Sequence, residues 1–275
     1  ICWFYKKKND QHKDGLEEEA KNVSCDRTAT EFELMTHQKV VKDYMSLYTP
    51  YRGLLIYHGL GAGKTCSSIA IAEALKTTNE IVVMTPASLR DNYISELKSC
   101  GDEFYKLNNQ WVFIETRDDK GDLIPKDGED GIKRAQEEEE KLALTLNVPL
   151  RYIEKNSGAW VALMGKTDKG RSYKELDDTE KVLLTKQINY MIRRRYTFIN
   201  YNGIRKSALD ALETFDNKVV IIDEAHNFVS RIVNKITKKD SLSYILYDML
   251  MRANNCKIVF LTGTPIINYP NEIGV

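Results

Sequence analysis

Three short strings in this chain carry residue types suited to phosphate chemistry. The first is His58-Gly59-Leu60-Gly61-Ala62-Gly63-Lys64-Thr65. Its glycines let the backbone turn tightly and bring N–H groups close to phosphate oxygens. Lys64 is positioned to reach the β- and γ-phosphates, and the Thr65 hydroxyl to ligate Mg²⁺. The apolar run Leu54–Tyr57 leads into the loop as a short buried strand, and a helical stretch, Cys66–Leu75, leaves it. A helix N-terminus there adds free donors and partial positive charge. His58 stands where the strict G-x-x-x-x-G-K-[ST] pattern has its first glycine. The plainer alternative is a glycine-rich turn capping a helix. The strand–loop–helix context favours the phosphate cradle.

The second string, Asp223-Glu224-Ala225-His226, follows Val219–Ile222, a β-rich run expected in the centre of a parallel sheet. Ligands of open α/β sheets bind at the carboxyl ends of strands. Asp223 is therefore a candidate Mg²⁺ ligand, directly or through water. Glu224 is the candidate base or orienter of an attacking water. His226 is a candidate coupler to a neighbouring lobe or to nucleic acid. The competing reading is a solvated turn in which the aspartate caps a helix. The upstream phosphate loop tips the choice toward catalysis. The third string, Thr262-Gly263-Thr264-Pro265, follows the apolar run Lys257–Leu261, where a sensor of nucleotide state would sit. In this order the three point to an ATP-driven motor lobe that works on nucleic acid.

On these residues the chain resembles the first RecA-like lobe of a superfamily 2 helicase or translocase. It is most similar to the SNF2-like, DEAH-box nucleoside triphosphatases of poxviruses and other large DNA viruses. The likeness runs from about Phe32 to Pro265. It implies ATP and Mg²⁺ as cofactors, with Gln38 reading adenine ahead of a cradle of His58, Gly59, Gly61, Ala62, Gly63, Lys64 and Thr65. It implies contact with a DNA or RNA backbone through Thr85, Pro86, Ser88 and Arg90, and through a looser block with Asn200 and Tyr201. It also implies that Thr262, Gly263 and Thr264 couple hydrolysis to strand movement. A second RecA-like lobe of the same polypeptide, bearing an arginine finger, and transcription machinery are the implied protein partners. The chain begins at Ile1 and stops at Val275, so it is expected to be a piece of a longer protein. An arginine finger contributes about 10³–10⁵ in turnover, so an isolated lobe is expected to hydrolyse ATP weakly. Two rivals stand beside this reading. One is another P-loop class, such as an AAA+ machine or a small-molecule kinase, which would not combine Gln38, Thr85-Pro86 and Thr262–Pro265. The other is a degenerate scaffold lobe in a transcription or packaging assembly, which intact Lys64, Asp223 and Glu224 oppose.

The elements that must position these residues alternate between strands and helices. Strands are expected at Ile81–Met84, Trp111–Ile114 and Tyr196–Ile199 besides those above. Helices are expected at Thr36–Tyr48, Leu89–Ser99 with Ser88 as N-cap, Lys174–Arg194, Ile204–Thr214 and Ser241–Ala253. The fold class is therefore α/β: a RecA-like P-loop lobe with a mostly parallel sheet and helices on both faces. Residues 31–275 make up this lobe, and residues 1–30 a linker or upstream segment. Residues 117–195 form a charged helical insertion that resembles nothing in the family. The acidic run Glu137–Glu140 there is expected to be a solvated loop or helix. Arg193–Arg195 suit either phosphate contact or the last turn of a helix. Of 275 residues, 42% are hydrophobic and 29% charged, which excludes wholesale disorder. With 40 basic and 40 acidic residues, nucleic-acid contact must rest on a local groove. Five scattered cysteines without a CxxC pair give zinc little support and suit a reducing, intracellular compartment. The resemblance adds host cytoplasm or virion as the location. No apolar run is long enough to span a membrane.

Overall fold

The computed structural model describes residues 10–15, 17, 34–59, 61–128, 130–163, 170–235, 238 and 240–264. Most of the expected upstream segment 1–30 lies outside these residues, as do Leu60 and Pro265. In chain order the elements are α1 (Thr36–Tyr44), β1 (Gly53–Tyr57), α2 (Lys64–Leu75), β2 (Glu80–Thr85), α3 (Arg90–Cys100) and β3 (Gln110–Glu115). Then follow α4 (Gly131–Leu146), α5 (Leu150–Lys155), β4 (Gly158–Leu163), β5 (Arg171–Ser172) and α6 (Asp178–Arg195). The last elements are β6 (Tyr196–Asn200), α7 (Lys206–Leu212), β7 (Lys218–Ile222), α8 (Ala225–Val233), α9 (Leu242–Arg252) and β8 (Lys257–Thr262). The chain divides into two compact units, Ile1–Gly101 with Tyr196–Val275, and Asp102–Arg195.

The first unit is built on a five-stranded sheet, ordered β1-β8-β7-β2-β6 and parallel throughout. Parallel strands covered on both faces need apolar side chains in both directions, which is why β2 and β7 read as unbroken runs. Val82, Met84, Val220 and Ile222 share one buried cluster with Leu209, Phe228, Ile232, Leu246 and Leu250 of α7, α8 and α9. The alternate residues Ile81, Val83, Val219 and Ile221 are equally buried and point the other way, toward the side of α2. Helix α2 has eight buried residues among its twelve, as a helix pressed against a sheet requires.

Several local expectations need correction. Leu54–Tyr57 is an edge strand, with Leu55 and Tyr57 more than half exposed. Ser88 is not the cap of α3: Ala87–Leu89 form a 3₁₀ turn first. In α9, Ile245 is exposed while Leu246 and Leu250 fill the core. Ser241 does cap that helix, its hydroxyl accepting from the Tyr244 N–H at 3.3 Å. Cys66 and Cys100, at the start of α2 and the end of α3, are joined in a disulfide with a Cα–Cα distance of 5.6 Å. That bond runs against the reading of scattered, reduced thiols. The helix pairing that brings residues 34 apart together leaves no mark in cysteine spacing. Cys256, the free cysteine among the described residues, is buried, and burial pushes its thiol up to about 11.

The second unit carries an antiparallel three-stranded sheet, β4-β3-β5, in which Trp111 pairs with Ala162 and Phe113 with Trp160. The expected Trp111–Ile114 strand therefore exists but belongs to this separate sheet. Leu184, Ile188 and Met191 of α6 are buried, whereas Leu183 is half exposed. The acidic run is helical within α4, but it is not wholly solvated. Glu139 is 2% exposed and accepts two hydrogen bonds from the Arg117 guanidinium, Nε–H to Oε1 at 2.9 Å and Nη2–H to Oε2 at 3.0 Å. Thr116 donates a third at 2.8 Å. A buried carboxylate needs such a full set of partners. Arg193–Arg195 close the last turn of α6, where they complement the helix dipole.

Candidate nucleotide site

Because all five strands of the first unit run the same way, their carboxyl ends gather on one side. Each end delivers one sequence block: β1 the glycine loop, β8 Thr262–Thr264, β7 the acid pair, β2 Thr85–Arg90 and β6 Asn200–Tyr201. Gly61 and Gly63 take left-handed backbone (φ 79° and 73°), which side-chain-bearing residues disfavour. At Gly63 a Cβ would also lie 2.4 Å from Gln38 Nε2. Gln38 is buried; its Nε2 donates to the Gly63 carbonyl at 3.3 Å, and its Oε1 accepts from the Met35 N–H at 2.9 Å. It thus ties α1 to the loop, with His37 adding a contact to the Ala62 carbonyl at 3.3 Å. The Lys64 ammonium donates to the His58 carbonyl at 3.1 Å, folding back along the loop. Burial, then the neighbouring His37 and Lys64, hold the His58 imidazole below its ordinary range.

Lys64, Thr65, Asp223 and Glu224 line a single cavity of about 410 Å³ with Gly59, Gly61 and Gly63. Sequence reasoning missed Asn92, Tyr93 and Glu96 of α3, which close another wall of it. Tyr93 is buried, and its hydroxyl shares a 2.9 Å hydrogen bond with Ser68. No motif names these residues, so only the packing of α3 on α2 reveals them. The donor set suits Mg²⁺-triphosphate: hydroxyl and carboxylate oxygens for a hard cation, and a glycine-lined cradle, open at Gly59 and Gly61, for phosphate oxygens.

The Asp223 carboxyl is pushed up to about 6 by burial first and the Glu224 charge second, against the Glu224 N–H and Lys64. A carboxyl raised above its unfolded value adds stability below the unfolded pKa and loses it as pH rises through the folded one. Charged Asp223 therefore costs the metal-free fold about 3 kcal/mol above pH 6, at about 1.4 kcal/mol per pKa unit. Asp223→Asn is expected to raise the unfolding free energy of the metal-free chain by that order at pH 8, and to leave it unchanged near pH 3.5. Denaturant titrations at the two pH values check this.

Glu224 also sits in left-handed backbone (φ 48°) at the start of α8. The Tyr201 hydroxyl donates to the Asp223 and Glu224 carbonyls at 2.9 and 3.1 Å, beneath that turn. Tyr201 is 2% exposed, so its side chain holds the acid pair rather than the surface. Thr85 and Pro86 are buried as well, while Arg90 and Asn200 are partly exposed and Ser88 is exposed. The Arg90 guanidinium stacks over Phe198 at 5.5 Å. His226 is the junction of the acid pair and the third string. Its Nδ1 lies 3.4 Å from Glu224 Oε2, 2.8 Å from Thr262 Oγ1 and 3.2 Å from Thr264 Oγ1. Thr262 gives its hydroxyl proton to the Thr264 carbonyl at 2.9 Å, which makes Nδ1 the donor to Thr262. A Cβ on Gly263 would stand 3.2 Å from Lys64 Nζ, so the third string also abuts the phosphate-loop lysine.

A family model described as the SNF2-related domain matches residues 1–275. A candidate ATP-dependent RNA helicase of Acanthamoeba polyphaga mimivirus is 27% identical over 248 residues, 90% of this chain and 32% of its own length. A candidate helicase of Frog virus 3 is 24% identical over 264 residues, 92% of this chain and 21% of its own. A termination factor NPH-I homolog of African swine fever virus is 25% identical over 224 residues, 81% of this chain and 21% of its own. The chain thus spans between about a fifth and a third of these relatives. Among the described residues no helix is long and apolar enough to cross a membrane. From the glycine loop to the threonine pair, this chain belongs to the SNF2-related domain family of superfamily 2 helicases.

Proposed function

We propose that this chain is the nucleotide-binding lobe of an ATP-driven translocase or helicase that acts on a DNA or RNA strand in viral transcription or DNA processing. The observation that carries the reading is the meeting of Lys64, Thr65, Asp223 and Glu224 around one cavity, with His226 joining them to Thr262 and Thr264. ATP with Mg²⁺, when bound, supplies a transferable γ-phosphoryl group with its charge partly neutralised. The loop N–H groups and Lys64 hold the phosphates. The Thr65 hydroxyl and Asp223 carboxylate offer oxygens to the metal, and Gln38 recognises adenine while bracing the loop. Glu224 orients the attacking water and accepts its proton. His226 passes the state of Glu224 to the threonine pair. A second lobe of the longer protein closes the site with an arginine, and the strand lies along Ser88, Arg90 and Asn200. The relative named a termination factor supports a role beside transcription machinery.

The test is the ATPase rate of the longer protein with single-stranded DNA, duplex DNA, RNA or no nucleic acid, at one fixed salt concentration. Stimulation of about tenfold or more by at least one of them is expected. Intact ATP binding with no stimulation by any would replace the motor with a scaffold.

A further inference from the structure

The second unit holds a cavity of about 600 Å³ that the nucleotide site does not use. That volume lies in the range of ligand pockets. One wall is Tyr152 of α5 stacked on Tyr190 of α6, with ring centroids 4.7 Å apart and planes 24° apart. Another is the edge-to-face pair Phe113 and Trp160, 5.3 Å apart, on neighbouring strands β3 and β4. The Trp160 wall is fixed from behind. Gln187 accepts from the Trp160 backbone N–H at 2.9 Å and donates to its carbonyl at 2.7 Å, like an extra strand along the edge. Trp160 itself is 3% exposed, and its indole Nε1 has no hydrogen-bond partner among the described residues.

The charged residues lining this cavity are Arg151, Lys155 and Lys186, all exposed, with no carboxylate among the lining. The unit as a whole does not explain that sign, since residues 102–195 contain 19 acidic and 18 basic residues. Fixed aromatic faces under a rim of one charge suit a flat apolar group joined to anions. An unpaired nucleobase within a phosphodiester strand has that chemistry. An apolar peptide would find the aromatic walls but gain nothing from three cations that have no carboxylate beside them in the lining.

We propose that this cavity is a second nucleic-acid site, which takes an unpaired base of a single strand against Tyr152 and Tyr190, with Trp160 backing the wall, and the flanking phosphates on Arg151, Lys155 and Lys186. The site gives the otherwise unassigned unit a role in holding single-stranded rather than duplex nucleic acid. It needs neither ATP nor the acid pair, so its test stands apart from the motor reading.

The test uses the full chain without nucleotide and a fluorescent 12-residue oligothymidylate, its duplex, and an abasic oligomer of equal length. The single strand is expected to bind best. Tyr190→Ala should weaken it by about 5- to 100-fold, the range for loss of one stacking platform. Tyr190→Phe should bind like the parent, and the abasic oligomer should not distinguish the three proteins. Lys155→Glu with Lys186→Glu should weaken both oligomers and lower the slope of log affinity against log salt by about one or more. Unfolding temperatures matching the parent qualify each variant. A thiothymidine-bearing oligomer photo-crosslinked to the parent chain should map to α5, α6 or β4, which reads the site without any substitution. Parent-like binding by folded Tyr190→Ala together with crosslinks confined to the first unit would overturn the proposal. So would preference for an aromatic peptide over the oligothymidylate at the same cavity.

Discussion

Glu224→Gln is expected to bind ATP as tightly as the parent and to lose turnover by about 10²–10⁴-fold, the contribution of a positioned general base. The substitution keeps the shape of the side chain, so the left-handed turn at residue 224 and the Tyr201 hydrogen bonds to the carbonyls beneath it should survive. What it removes is one negative charge facing both His226 and Asp223. That charge is a cause of the raised Asp223 carboxyl, second only to burial. Neutralising it lets Asp223 ionise more readily, so the metal should be held at least as well as before. The variant should therefore accumulate bound, uncleaved ATP. Single-turnover hydrolysis and equilibrium nucleotide binding on the same preparation separate the two effects. Parent-like single-turnover rates would remove Glu224 from its role, whatever happened to binding.

The parts of this molecule that were legible in the sequence are those in which a local pattern and a global constraint coincide. Val219–Ile222 reads as a central parallel strand because burial on both faces forces four apolar residues in a row, and all four are buried. Gly61 and Gly63 read as a phosphate loop because their backbone conformation disfavours residues with a side chain. Where the cause is tertiary, the text of the sequence is silent. Leu55 and Tyr57 look like core and are exposed because β1 lies at an edge of the sheet, which nothing within five residues can specify. Glu139 looks solvated in its acidic run and is buried because Arg117, distant in sequence, forms a fork around it. Gly158–Leu163 does not read locally as a strand, since its partner is antiparallel and 43 residues upstream at the first pair, Gly158 with Glu115, so that only register reveals it. Tyr201 was legible as a site residue but with the wrong neighbour. The resemblance implied a strand of nucleic acid, whereas its hydroxyl supports the acid pair.

Lys64→Ala is expected to weaken Mg²⁺-ATP binding by about 10²-fold or more, and the geometry gives two reasons that add. The first is direct. A hydrogen bond to a charged group contributes about 1.5–3 kcal/mol, and Lys64 is the ammonium lining the glycine cavity. The second acts through the acid pair. Lys64 opposes the rise of the Asp223 carboxyl, so its removal pushes that group further up from about 6 and leaves less of it ionised to meet the metal. Lower pH should deepen the second loss and leave the first unchanged, which lets titration calorimetry at pH 6.5 and 8 apportion them. Lys64→Arg should not restore binding, even though it restores the charge. The ammonium donates at a single point, 3.1 Å from the His58 carbonyl, whereas a planar guanidinium is longer and presents its donors in a fixed fork. Full affinity in Lys64→Arg would mean that charge alone is read at this position. Full affinity in Lys64→Ala would mean that the triphosphate is held elsewhere.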